Sequence, residues 1–270
     1  MDKGAKRFIL AGYSIIDSKI IQDPPFSPPW DKTDFANLKK KVSDAGGLIW
    51  LQFERIYGKG KFDESLFRES ARQFIQNYSV DGFLFDLQKP EVAKDAYRIL
   101  STVKALGKTA VLQYWPEAEK AVKKTGLGAL ADYTVVYLTP YFDKSLTKVF
   151  NTDKFAINRV GSAIKAGANA KAIILRIPLL ARADYESSDS GYSSAIFDMH
   201  GDPKGSGSII FPKGKGYYFF SQPRAVEKVI LVKKMGLHGI MIDPPYSETT
   251  DIYPWDDRSI FYALAQSVKS

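Results

Sequence analysis

With 270 residues, 45% of them hydrophobic, and a formal charge of +8 from 38 basic and 30 acidic side chains, the chain can bury one sizeable core under a mildly basic surface. It has no cysteine and two histidines, which excludes disulfides, thiol catalysis and thiolate metal ligation, so neither a metal nor a cofactor is expected. No apolar run approaches the ~20 residues of a membrane span, and MDKGAKRFIL is not a signal peptide. No nucleic-acid-binding signature accompanies the charge, which reads as solvated helix faces such as Lys39, Lys40 and Lys41.

Along the chain, short apolar runs alternate with helical patterns, the sequence form of βα units around a parallel sheet. Strands are expected at 7–13 (RFILAGY), 47–53 (GLIWLQF), 82–87 (GFLFDL), 109–114 (TAVLQY), 133–138 (YTVVYL), 172–177 (AIILRI) and 239–243 (GIMID). Between the second and third, Phe67, Ala71, Phe74, Ile75 and Tyr78 recur at helical spacing behind Asp63, a suitable N-cap. Residues 184–217, rich in Ser, Gly and Asp, show no periodicity and read as a long excursion after the sixth strand. The expectation is one domain, 1–270, an α/β fold of the TIM-type (β/α) barrel class.

The segment DGFLFDLQ, residues 81–88, carries the chemistry. It resembles the DxxDxDxE signature of the family 18 glycoside hydrolases, the chitinases and their relatives. Asp81 and Asp86 match the first and third aspartates, Leu84 stands for the second and Gln88 for the glutamate. The resemblance extends over FRESARQFIQNYSVDGFLFDLQKP (67–90), KAIILRIPLLARADY (171–185) and SQPRAVEKVILVKKMGLHGIMID (221–243), and more weakly over ADYTVVYLTPY (131–141). Aligned backwards from the signature, RFILAGYSIIDSKI resembles the family's second strand. The first βα unit then has no counterpart, so either the chain begins inside a longer protein or the barrel closes with seven strands.

In strand 82–87 the period of two places Leu84, Asp86 and Gln88 on one face, and Phe83, Phe85 and Leu87 on the face turned to helices. The resemblance implies a substrate-assisted hydrolysis in which the glutamate protonates the glycosidic oxygen and the third aspartate orients the substrate's N-acetyl group. Gln88 cannot donate a comparable proton, a loss typically worth about 10²- to 10⁴-fold in rate. The family's SxGG end of the third strand is here Trp50, Leu51, Gln52 and Phe53, and its sugar-floor tryptophan is Asp243.

No catalytic residue is therefore expected to be intact among Asp81, Leu84, Asp86 and Gln88. A degenerate cleft lined by Asp86, Gln88, Trp50, Gln52, Trp115, Tyr137, Tyr141, Arg182 and Asp243 would suit a polar cyclic ligand. Three functions remain open at this point. The first is an inactive chitinase-like protein binding a chitooligosaccharide, another glycan or a protein partner. The second is an active glycosidase using Asp86 and Asp243 as a rearranged carboxylate pair. The third is a structural or partner-binding domain with a vestigial pocket. The resemblance implies an extracellular or surface-associated protein, and a nucleic-acid partner is not expected.

Overall fold

The computed structural model describes residues 4–22, 31–58, 60–140, 143–186, 189–243 and 251–269. The chain divides into two compact units, residues 1–135 with 163–169 and residues 136–162 with 170–270. Eight strands make one mostly parallel sheet and four make a smaller antiparallel sheet.

The first unit opens with a hairpin, β1 (Arg7–Ile16) and β2 (Lys19–Gln22), followed by α1 (Lys32–Asp44), β3 (Leu48–Tyr57), α2 (Glu64–Asn77), β4 (Gly82–Leu87), α3 (Ala93–Ala105), β5 (Thr109–Tyr114), α4 (Glu119–Thr125), α5 (Leu127–Leu130) and most of β6 (Tyr133–Tyr137), whose last two residues belong to the second unit. β1, β3, β4, β5 and β6 pair in parallel in that order, and β2 pairs antiparallel with β1. The expected strand at 7–13 thus lies beside the one at 47–53.

Local chemistry starts the helices, and α2 begins where the sequence reading placed it. Asp63 caps α2 by accepting from the N–H groups of Ser65 and Leu66, and Asp31 forms a capping box with Asp34 at the head of α1. Every residue of β4 is buried, as expected of a strand covered on both faces. Phe83 stacks on Phe53 at 5.3 Å and meets Phe74 of α2 edge-on at 6.3 Å. Phe83, Phe85 and Leu87 join Leu51, Phe53, Leu112 and Tyr114 in one apolar cluster with residues of α1, α2 and α3. Each buried Phe contributes about 1.5–3 kcal/mol. Leu84 is buried outside that cluster, and its register partners Gln52 and Val111 share its face. The alternation read from GFLFDL therefore holds.

One expectation changes in this unit. Lys39 is not a solvated side chain. It reaches 2.5 Å from Asp81 Oδ2, which also accepts from the N–H of Ile49 at 2.7 Å. Asp81 ties α1 to the start of β3 and β4, because a carboxylate at the strand's N-terminal end can satisfy a lysine and an orphan amide together.

The second unit contains most of α6 (Asp153–Lys165), β7 (Ile173–Pro178), β8 (Leu180–Ala183), β9 (Asp189–Gly191), α7 (Tyr192–Phe197), β10 (Ser208–Ile210), β11 (Gly216–Phe219), α8 (Gln222–Met235), β12 (Gly239–Asp243) and α9 (Ile260–Lys269). β7 and β12 pair in parallel. The segment 184–217 is not a loop. It supplies β9, β10, β11 and α7, and the small sheet runs β10-β11-β8-β9. Strands of three or four residues are too short to show a period, and the β8–β11 pairing joins residues more than thirty apart in sequence. Among the described residues no helix is long and apolar enough to cross a membrane, and no three His, Cys, Asp or Glu are grouped to hold a metal ion.

Candidate functional site

In the first unit the C-terminal ends of β3 and β4 bring Glu54, Asp86 and Gln88 together. Gln52 pairs with Leu84 and Phe53 with Phe85, so the next residue along, Glu54, falls level with Asp86 and shares its face. Asp86 is 6% exposed. The Gln88 amide nitrogen donates to Asp86 Oδ2 at 3.3 Å and to the backbone carbonyl of Glu54 at 3.4 Å. A backbone carbonyl only accepts, and an ionised carboxylate only accepts, so the side-chain nitrogen must face both and the Gln88 carbonyl faces elsewhere.

Glu54 owes its position to an irregularity in the neighbouring strand. The β1–β3 register slips between Leu10/Leu51 and Tyr13/Phe53, leaving an extra residue in β1. Gly12 takes φ 88° there, a backbone angle that costs glycine little. Its N–H donates to Glu54 Oε1 at 3.2 Å. A second shift between Tyr13 and Ile15 carries the pairing on to Tyr57. β3 is thus four residues longer than the expected run ending at Phe53.

That extension relocates two expected cleft residues. Trp50 pairs with Gly82, the first residue of β4, and so lies at the N-terminal end of that strand pairing, away from the end where barrel enzymes place their chemistry. It is 1% exposed, packs on Tyr133 at 5.5 Å and has the Arg7 guanidinium 5.7 Å from its ring. Its indole N–H has no hydrogen-bond partner among the described residues. Gln52 lies one layer above it, level with Leu84. Neither is at the strand end, which instead presents Glu54. Gln113, level with Asp86 on β5, is buried, and Trp115 follows β5 directly, its N–H bonded to the carbonyl of Leu87 at 3.1 Å.

In the second unit, Tyr137 lies under Arg176, whose guanidinium carbon is 4.3 Å from the ring, a cation–π contact between two buried side chains. Arg182 belongs to the small sheet. It grips Asp189 with two parallel bonds, Nε to Oδ1 at 2.6 Å and Nη2 to Oδ2 at 2.5 Å, directly across the β8–β9 ladder. Asp243 closes β12 opposite Pro178, and its side chain lies outside what is described, as does all of Tyr141.

The sequence reading missed Glu54 and Arg176. Both were signalled by a charged residue inside or at the end of an apolar strand, FER and LRI, where burial requires a partner or a ligand. A separate cavity of about 330 Å³ in the first unit is lined by Asp17, Ser18, Tyr57, Phe62, Asp63 and Asp95, among others. It contains the α2 N-cap Asp63 but none of the expected cleft residues.

No protein-family model and no curated protein matches the chain. Solved structures do, and the similar ones are chitinases and chitinase-like proteins with TM-scores of 0.62–0.71 at 11–16% identity. The chain therefore has the TIM-type α/β fold of the family 18 chitinases. It is similar to the multi-modular cell-surface chitinase ChiW of Paenibacillus, with TM-score 0.67 and 16% identity over 98% of this chain, and it spans 30% of that enzyme's chain. It is similar to the chitinase-like agglutinin of Robinia pseudoacacia, with TM-score 0.68 and 11% identity over 97% of this chain and 93% of the agglutinin. A glutamate-to-glutamine mutant of the class V chitinase of Nicotiana tobaccum, solved in complex with NAG4, gives TM-score 0.62 and 12% identity over 98% of this chain and 94% of its own.

Proposed function

We propose that the chain is a catalytically inactive chitinase-like protein that binds a carbohydrate or a macromolecular partner through the polar cluster at the C-terminal ends of β3 and β4. The observation that carries this reading is Gln88. An amide occupies the position of the family's proton donor, and two acceptors hold its nitrogen in place. An amide has no proton of useful acidity to give to a leaving sugar. Leu84, buried beside Asp86, removes the second carboxylate of the signature as well.

Binding without turnover has parallels among the similar structures. One is named as an agglutinin, and another, carrying a glutamine in place of a glutamate, was solved with NAG4 bound. Half-buried Glu54 and Gln88 around the buried Asp86 offer the fixed polar groups that orient a sugar. The test pairs a glycan array with a hydrolysis assay on a chromogenic chitobioside. Glycan binding without hydrolysis is the expected result, and silence on the array would favour a structural or protein-binding domain.

Glu54 beside Asp86 favours a second reading, a glycosidase with a rearranged carboxylate pair. This differs from the pair Asp86 and Asp243 expected from sequence. Hydrolysis by pure protein that disappears in Asp86→Asn would support it.

A further inference from the structure

Resting on the carbohydrate-binding reading above, we infer that this site selects a sugar bearing a free, protonated amino group over its N-acetylated counterpart, and that Glu54 is the residue that makes the choice. Three observations lead there. The Glu54 carboxylate is half-buried and accepts one bond, from the Gly12 N–H. No Lys or Arg among the described residues forms an ion pair with it. The Gln88 nitrogen is committed to Asp86 and to the Glu54 carbonyl, so what Gln88 presents to a ligand is its carbonyl oxygen, and no described donor reaches that oxygen.

The site is thus rich in acceptors where the family's signature has a donor. The Glu54 carboxylate leans toward β1, on whose Gly12 it rests, while Gln88 follows β4 on the other side of β3. A sugar ring across the end of β3 meets an acceptor on each side. A protonated amine brings three donors and a positive charge to the carboxylate. An N-acetyl group brings one donor and a carbonyl of its own, which two acceptors repel, and it leaves the Glu54 charge without a counter-ion. The chain's net charge of +8 does not cancel this preference, because charges more than about 10 Å away are screened at about 0.1 M salt.

The test measures calorimetric affinity for two tetrasaccharides, one of glucosamine and one of N-acetylglucosamine, at about pH 6, where an amine of ordinary pKa is protonated. The glucosamine tetramer should bind about tenfold tighter, as expected for one charge-assisted contact. Glu54→Gln keeps an acceptor for Gly12 and so preserves the fold. It should lose about tenfold for the amino sugar and change the N-acetylated sugar by less than about twofold. The preference should also vanish at about pH 9, where the amine is neutral. Equal or tighter binding of the N-acetylated tetramer would overturn this inference and leave the carbohydrate-binding reading standing. Failure of both tetramers to bind, in protein shown by circular dichroism to be folded, would count against both.

Discussion

Gln88 and Asp86 lie two residues apart on the same face of one strand end, and the amide nitrogen of the first donates to Oδ2 of the second at 3.3 Å. In the family that this strand resembles, a glutamate would stand where Gln88 stands, and two carboxylates so close would share a proton. Here the pair is a donor and an acceptor. It holds itself in place with no proton to lend.

Restoring the acid should not restore an enzyme. Gln88→Glu and the double variant Leu84→Asp with Gln88→Glu are expected to show no hydrolysis of chitooligosaccharides, because general acid catalysis also needs the sugar held within reach. The resemblance sets Asp243 where the family has a floor tryptophan, and Glu54 stands near the end of β3. Both variants, with a third adding Asp243→Trp, should be assayed after their folding is checked. Substantial turnover by Gln88→Glu alone would mean a recently silenced enzyme with its substrate site intact.

Asp81 is expected to matter for stability and not for ligand binding. Its Oδ2 meets Lys39 at 2.5 Å and the Ile49 N–H at 2.7 Å. Asp81→Ala leaves that amide and the lysine without their acceptor, a loss of about 1–3 kcal/mol. Urea denaturation should record it, while glycan affinity stays within about twofold of wild type. A large loss of affinity in folded Asp81→Ala would place this residue in the site after all.

Lys228 is fully buried on α8 and pairs with Asp153, the first residue of α6, and at 3.7 Å with its neighbour Glu227, both partly exposed. Removing the Asp153 carboxylate leaves the buried ammonium only the longer contact to Glu227, so Asp153→Ala should cost up to about 3–5 kcal/mol. Lys228→Met removes the charge along with its need for a partner and should cost less. Comparing the two by chemical denaturation checks the order, and equal costs would show that the pairing matters less than the packing.

Acid should release a local clasp in the second unit. Arg258 donates from its side chain to Asp256 at 2.9 and 2.7 Å and from its own backbone N–H at 2.9 Å. These bonds lower the Asp256 pKa to about 2. A depressed folded value means the contribution is complete above the unfolded carboxylate value of about 3.9 and is lost as pH falls through about 2. Carboxyl NMR titration should find that low midpoint, and Arg258→Ala, which removes the side-chain bonds and keeps the backbone N–H, should move it up toward the ordinary range.

The sequence by itself determined seven strands of the larger sheet, the start of α2 and the faces of the signature strand. Each depends on neighbours only a few residues away. Asp63 caps α2 through amides two and three residues on, and the period of two in GFLFDL sends Phe83 to the helices and leaves Leu84 and Asp86 opposite. Only the tertiary structure decided where β3 stops. Register with β1 carries it to Tyr57, which leaves Trp50 level with the start of β4 and places Glu54 beside Asp86. It likewise gave Lys39 to Asp81 and Arg182 to Asp189. Register and ion pairing join residues that are distant in the chain or held in very short strands, so no local period records them. The substitution at position 88 could be read from the sequence, but the direction in which that amide points was decided by a backbone carbonyl 34 residues away.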